Sequence, residues 1–226
     1  MDDNKKYYKM IINKVVVSLL VFSGVILTAF NSSNNIEGKV VCFGDSITYG
    51  AKVNRQSWVY YLSKEHKDLH FVNAGRKGRK TSDTTEILPV LKENPNADYF
   101  LIFLGVNDLK DGNDSMVNNC VKNMQWLVDR VQETSSKTKT VILSPTDINL
   151  KTMAPVNVKK RYNEDTKNSL IRLEEKYKEL AGKNSLGFIS LLHTVSPANY
   201  VDGLHPNRDG QREIARAVWK GLQTLK

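Results

Sequence analysis

The sequence predicts an α/β fold built on a parallel sheet, and three observations carry that prediction. Five short apolar runs rich in β-branched and aromatic residues recur along the chain, at residues 40–43, 69–72, 98–104, 140–143 and 188–191. Segments with apolar residues at helical spacing alternate with them. Most of the runs also stop at a turn signal: Gly44, Gly75, Gly105 or Ser144-Pro145. A continuous apolar run bounded by turn residues is the pattern of a strand buried on both faces. Strands alternating with amphipathic helices make crossover units, and their right-handed sense places helices on both faces of the sheet.

The first strand, V-V-C-F at 40–43, ends at Gly44 and hands over to Asp45-Ser46, residues of N-cap type, ahead of a weakly helical segment. Residues 56–66 carry Trp58, Val59, Tyr61 and Leu62 at helical spacing, and the strand 69–72 then ends at Asn73-Ala74-Gly75. A helix over 81–92 is entered through Thr81, Ser82 or Asp83 as caps. The strongest strand, 98–104, contains Y-F-L-I-F-L. A long helix at 114–134 follows, with Val117, Val121, Met124, Leu127, Val128 and Val131 on one face. After the strand 140–143, the spacing of apolar residues at 158, 162, 170, 173, 177 and 180 predicts the longest helix, over 157–181. The strand 188–191 and a helix over 209–225, with Ile214, Ala215, Val218 and Leu222 inward, close the chain.

The first thirty residues differ from the rest. Lys5, Lys6, Lys9 and Lys14 precede sixteen uncharged residues, 15–30, a basic region followed by an apolar one. This reads as a signal peptide or an N-terminal membrane anchor. The absence of an A-x-A site, or of a cysteine near the end of the run to accept a lipid, favours the anchor. With the lysines kept inside, the remainder lies outside the cytoplasm. Residues 31–38, N-S-S-N-N-I-E-G, form a polar linker, and 39–226 are long enough for one sizeable core. The formal charge of +9 is spread over helices without interleaved aromatics, which argues against a nucleic-acid partner. Cys42 and Cys120 read as small core residues, and no metal-type spacing of ligands is present.

In a parallel sheet the loops after the strands meet at one edge, where ligands bind. Here those loops carry G-D-S (44–46), N-A-G (73–75), G-V-N-D (105–108) and S-P-T-D (144–147), and D-G-L-H-P (202–206) precedes the last helix. These are the parts of an acyl-transfer site. Ser46 supplies a nucleophile, His205 a base that returns its proton to the leaving group, and Asp202 a carboxylate to hold the imidazole. Donors for an oxyanion are the backbone N–H groups of Ser46 and Gly75 and the side-chain amide of Asn107. Taken singly, each has a plain alternative as a strand end, an Asx turn or a helix cap. Their joint appearance at element boundaries is what carries the reading.

The ordered set G-D-S-I-T-Y-G, N-A-G, L-G-V-N-D, D-G-L-H-P resembles the SGNH hydrolase (GDSL esterase/lipase) family over 39–226. The resemblance implies a flavodoxin-like three-layer α/β/α sandwich with a five-stranded parallel sheet. It also implies a serine esterase needing no cofactor, with Ser46, His205 and Asp202 as its triad. Ser46, Gly75 and Asn107 then form the oxyanion hole. The G-x-S-x-G elbow of the α/β-hydrolases is absent, because position 48 is Thr.

After N-A-G, many members of that family continue with a small polar run, whereas this chain has Arg76-Lys77-Gly78-Arg79-Lys80-Thr81. Arg76, Lys77 and Arg79, with Lys80, beside an oxyanion hole suggest an anionic substrate group, against the alternative of a solvated loop. In the long connection 146–160, Ile148 and Met153, with Leu150 and Val156, either line a substrate pocket or pack on the sheet. The leading expectation is an extracytoplasmic serine esterase for short acyl groups such as acetyl, since no long apolar lid is visible. Its substrate would be a small-molecule or glycan ester, as in carbohydrate deacetylation. The alternatives are a lysophospholipase or thioesterase, and a non-catalytic, membrane-tethered glycan-binding domain. A nucleotide- or flavin-binding role lacks a Gly-rich phosphate loop after the first strand.

Overall fold

The computed structural model describes residues 38–225. The expected signal peptide or anchor at 1–30 lies outside them, as does the linker at 31–38 except Gly38. Five strands form one sheet in the order β2-β1-β3-β4-β5: β1 Gly38–Gly44, β2 Leu69–Gly75, β3 Tyr99–Phe103, β4 Lys139–Leu143 and β5 Gly187–Ile189. Every neighbouring pair is parallel, with Gly44 opposite both Gly75 and Phe103. The expected second strand is extended through Asn73-Ala74-Gly75, because pairing with β1 continues to its last residue.

Side chains alternate across the sheet, so each strand feeds two cores. Val41, Phe43, Phe100, Ile102 and Ile142 face one layer, made by α3 (Ile87–Glu93), α4 (Asp114–Thr134) and α6 (Glu164–Lys183). Val40, Cys42, Leu101, Phe103, Val141 and Leu143 face the other, made by α2 (Trp58–Glu65) and α7 (Arg208–Thr224). The result is the three-layer α/β/α sandwich with a flavodoxin-like strand order. Six apolar side chains of α4, from Val117 to Val131, are buried. At roughly 1.5–3 kcal/mol for each large one, this face rather than helix propensity holds α4 in place. Cys42 and Cys120 are free and buried on opposite sides of the sheet, which rules out a disulfide between them.

Two helices depart from expectation. None of Thr81, Ser82 or Asp83 caps α3 with its side chain; a 3₁₀ turn, Thr84–Glu86, leads into it instead. Thr81 is buried and donates to Asp108, and the Asp83 carboxylate accepts from Arg76 and from Lys80 N–H. The expected helix over 157–181 is two helices, α5 (Pro155–Lys159) and α6, so the longest helix among the described residues is α4. Arg161 takes a left-handed φ of 68° at the break. Asn163 then opens α6 with a capping box: its side chain accepts from Thr166 N–H while the Thr166 hydroxyl accepts from Asn163 N–H. Helical periodicity runs through this break because Tyr162 is inward on either reading, whereas Val158 is left exposed.

Candidate active site

The site lies at the carboxyl ends of β1 and β3, where the strand order changes direction. β1 ends at Gly44, where a Cβ would sit 2.1 Å from Thr48 Oγ1 and 3.0 Å from Phe103 O, so the close turn requires glycine. Asp45 follows as the N-cap of α1, the single turn Ser46–Tyr49, its Oδ1 accepting from Ile47 N–H at 2.8 Å. Ser46 is therefore the first helical residue, and its own N–H has no intrahelical partner. Gln211, fully buried at the start of α7, accepts from Trp58 N–H at 2.8 Å and donates to Ile47 O at 3.3 Å. That side chain ties the serine turn to the helix that follows His205.

His205 is carried on a tight turn whose organising group is the Asp202 carboxylate. Asp202 Oδ1 accepts from Leu204 N–H at 3.2 Å and His205 N–H at 2.8 Å. His205 Nδ1 lies 2.9 Å from Asp202 Oδ2, and Nε2 lies 3.1 Å from Ser46 Oγ. With the ring proton on Nδ1 facing the carboxylate, Nε2 is left as the acceptor for the serine hydroxyl. Gly203 makes the turn at φ 76°, with Asn149 O and Met153 Cα each 2.6 Å from where a Cβ would be. Burial alone would raise the Asp202 pKa, but the hydrogen bonds and charge of His205 outweigh it and hold this carboxyl well below the usual range. Asp45 is the reverse case: burial pushes it up to about 6, more than the Ile47 N–H bond lowers it.

Asn107, after β3, reaches the same place. Its Nδ2 donates to Asp45 Oδ2 at 3.2 Å and to Arg79 O at 3.1 Å, and its Oδ1 accepts from the Tyr162 hydroxyl at 3.0 Å.

A hydroxyl hydrogen-bonded to an imidazole that is itself held by a carboxylate can attack a carbonyl and pass its proton through the ring. The family model of the GDSL-like lipase/acylhydrolase family matches residues 42–213, which hold all of these groups. The chain belongs to this family. It is a serine ester hydrolase of the GDSL/SGNH type. Solved structures share the fold of this GDSL-like hydrolase. A carbohydrate acetylesterase family member from Sinorhizobium meliloti is 21% identical with a TM-score of 0.71, covering 84% of this chain and 99% of that one. The aryl esterase of M. smegmatis is 19% identical with a TM-score of 0.69, covering 84% and 100%. A member of the lipolytic protein G-D-S-L family from Veillonella parvula is 20% identical with a TM-score of 0.63, covering 83% and 99%. No curated protein matches the sequence.

Other expected site residues of the hydrolase take different places. Gly75 does not offer its N–H to the site: Asn73 Oδ1 takes it at 2.9 Å, and the space for a Cβ is filled by the Thr48–Tyr49 backbone. Gly78, at φ 76°, has open space around it and an N–H without a partner among the described residues. Of the basic run, Arg79 is buried, with Nη1 2.6 Å from both Gly44 O and Ala74 O and Nε 2.9 Å from Glu86. Arg76 is paired with Asp83 at 2.6 Å and Glu86 at 2.5 Å. Arg79 is thereby taken out of reach of a substrate anion, whereas Arg76 keeps a side chain that is 46% exposed. Lys77 lies 5.0 Å from the centre of the Tyr49 ring, and Lys80 is exposed.

Ile148 is 2% exposed and packs into the core beneath the sheet edge, and Met153 lies half-buried against the same core. The backbone of Met153 packs against Gly203 of the Asp202–His205 turn, and Ile148 lies at the wall of a cavity on the same side. That cavity, of about 420 Å³, is lined by Ile148, Leu150, Lys167, His193, Pro197 and Tyr200 among others, and includes none of Ser46, Asp202 or His205. Sequence patterns carried no signal for Gln211, for the contact of the inward Tyr162 with Asn107 or for the buried role of Arg79, since each depends on a distant partner. Gly78 was visible as a glycine beside the basic residues.

Proposed function

We infer that this protein is an extracytoplasmic esterase that removes short acyl groups, acetyl above all, through an acyl-enzyme on Ser46. The observation that carries the reading is the chain of contacts from Ser46 Oγ through His205 to Asp202, at 3.1 and 2.9 Å. Ser46 Oγ attacks the ester carbonyl as His205 Nε2 takes its proton, and Asp202 stabilises the imidazolium. The imidazolium then protonates the departing alcohol. A water, deprotonated by the same nitrogen, attacks the acyl-serine and releases the acid and the free serine. The tetrahedral oxyanion takes hydrogen bonds from Ser46 N–H and Asn107 Nδ2. Gly78 N–H takes the place of Gly75 as the third donor: it has no partner among the described residues and stands next to Arg79, whose carbonyl is bonded to Asn107.

A carbohydrate ester as substrate is supported by the carbohydrate acetylesterases among the structural relatives. Placement outside the cytoplasm rests on the basic and apolar pattern of residues 1–30.

The test is hydrolysis of p-nitrophenyl acetate, butyrate and octanoate by the full chain and by Ser46→Ala. The expected result is preference for acetate and a loss of kcat of roughly 10⁴-fold or more in the variant. Preference for octanoate would point to a lysophospholipase or thioesterase. No Ser46-dependent turnover of any ester would overturn the esterase and favour a glycan-binding domain.

A further inference from the structure

A primary amide at an oxyanion site carries an ambiguity that serine or backbone N–H donors do not. The O and NH₂ of asparagine have nearly the same shape, yet only the NH₂ stabilises a developing negative charge. Something must specify which faces the reacting carbonyl. In this protein Asn107 is buried, and three groups from three separate segments surround its amide. On the nitrogen side are two acceptors, Asp45 Oδ2 at 3.2 Å and Arg79 O at 3.1 Å. On the oxygen side is one donor, the hydroxyl of Tyr162 at 3.0 Å. Rotating the amide by a half-turn would set its oxygen against a carboxylate and a carbonyl, and would leave Tyr162 facing an NH₂ group.

Tyr162 itself is 3% exposed. Burial, with Asp45, Asp108 and Asp202 nearby, pushes its ionisation well up, so the hydroxyl keeps its proton through the working range of the enzyme. The chain has arranged its delivery with care. Arg161 takes its left-handed conformation directly before Tyr162, and Tyr162 N–H donates to Asn157 O at 3.2 Å. The same Asn157 donates from Nδ2 to Asp202 O at 3.0 Å. One turn of chain, 157–162, therefore touches both halves of the site: the backbone of the residue that holds His205, and the amide that faces the oxyanion.

We propose that Tyr162 is a positioning residue of the hydrolysis, whose hydroxyl holds the Asn107 amide with its NH₂ toward the reacting carbonyl. The proposal rests on the esterase reading above. Donation to Oδ1 also draws electron density from the amide nitrogen and strengthens its N–H groups as donors. Asp45 keeps one of those hydrogens. The other, bonded to Arg79 O in the resting site, is the one the oxyanion takes.

The experiment is a double-mutant cycle on the full chain with p-nitrophenyl acetate, using Tyr162→Phe, Asn107→Ala and the double variant, with thermal midpoints measured in parallel. Tyr162→Phe lowers kcat about 10-fold and leaves KM within about 2-fold, a part of the 10²–10³-fold effect of losing a whole oxyanion donor. In the Asn107→Ala background the same change has no further effect on kcat, because the group it positions is gone. Equal loss of kcat in both backgrounds would overturn the proposal, as would a fall in thermal midpoint with kcat unchanged. If Tyr162→Phe does not fold, 3-fluorotyrosine at 162 keeps the shape and sharpens the donor. A kcat there that changes in the Asn107 enzyme and not in Asn107→Ala supports positioning, and one that changes in neither or equally in both rejects it. Absence of turnover by the unaltered protein strikes the esterase reading itself, and this proposal with it.

Discussion

Arg79 lies beneath the ends of β1 and β2, its guanidinium 4.0 Å from the centre of the Phe43 ring and bonded to two strand-end carbonyls and Glu86. In the sequence it stands in a basic run that looks like solvated surface. In the fold its guanidinium donates to the carbonyls of Gly44 and Ala74 at the strand ends, the first of which also accepts from Arg76 N–H at 3.0 Å. Arg79→Ser removes a charged donor from both carbonyls, leaving Gly44 O with Arg76 N–H alone, and takes one of its two arginine partners from Glu86, at a cost of about 2–4 kcal/mol. Arg76→Ser, at a side chain 46% exposed, costs under ~1 kcal/mol. Urea denaturation of the two variants checks the contrast; equal, small losses would show that Arg79 is a surface group after all. The chemistry of this position is decided by depth, which a run of cations does not encode.

The break between α5 and α6 shows the same at the scale of an element. Apolar spacing alone runs 157–181 together, yet Asn163 and Thr166 at the right separation are a helix start. Asn163 also donates to Asp111 Oδ1 at 2.8 Å, fastening the new helix to the loop after β3. Asn163→Ala is expected to destabilise the protein by roughly 1–2 kcal/mol, and Asn163→Asp to retain most of the cap. Thermal denaturation distinguishes them, and a harmless alanine would mean that the break is held by Tyr162 packing alone. In contrast, α4 keeps its expected bounds and buries five of its six expected positions, with Cys120 buried and Val121 only half-buried at the margin of the face.

Across the whole molecule, two buried carboxylates pull stability in opposite directions with pH. Asp202 has its pKa depressed, so it contributes stability above the ordinary carboxylate range that is lost as pH falls through about 4 and below. Asp45, raised to about 6, binds a proton more readily when folded. Its contribution is greatest at low pH and is lost as pH rises from about 4 through 6, by on the order of 2–3 kcal/mol. Chemical denaturation at pH 4, 5.5 and 7 is expected to show that Asp45→Asn gains on the wild type as pH rises. A difference between the two that is the same at all three values would refute the assignment. The cost is borne at the switch point of the sheet, where Asp45 both caps the serine turn and accepts from Asn107.

Strand and helix alternation, the two-sided burial of the strands and the family motifs were legible in the chain itself. They are local: a period, a turn residue or a short word carries each. The sequence also named Ser46, Asp202, His205 and Asn107, and the fold brings these four side by side from three loops. Only the tertiary structure decided that Gly75 has its N–H taken by Asn73, that Arg79 is core, that the cavity bordered by Ile148 lies away from Ser46 and that Tyr162 meets Asn107. Each of these outcomes is a competition for one hydrogen bond or one pocket among groups far apart in the chain. Such competitions are settled by three-dimensional proximity, which neither residue type nor spacing records.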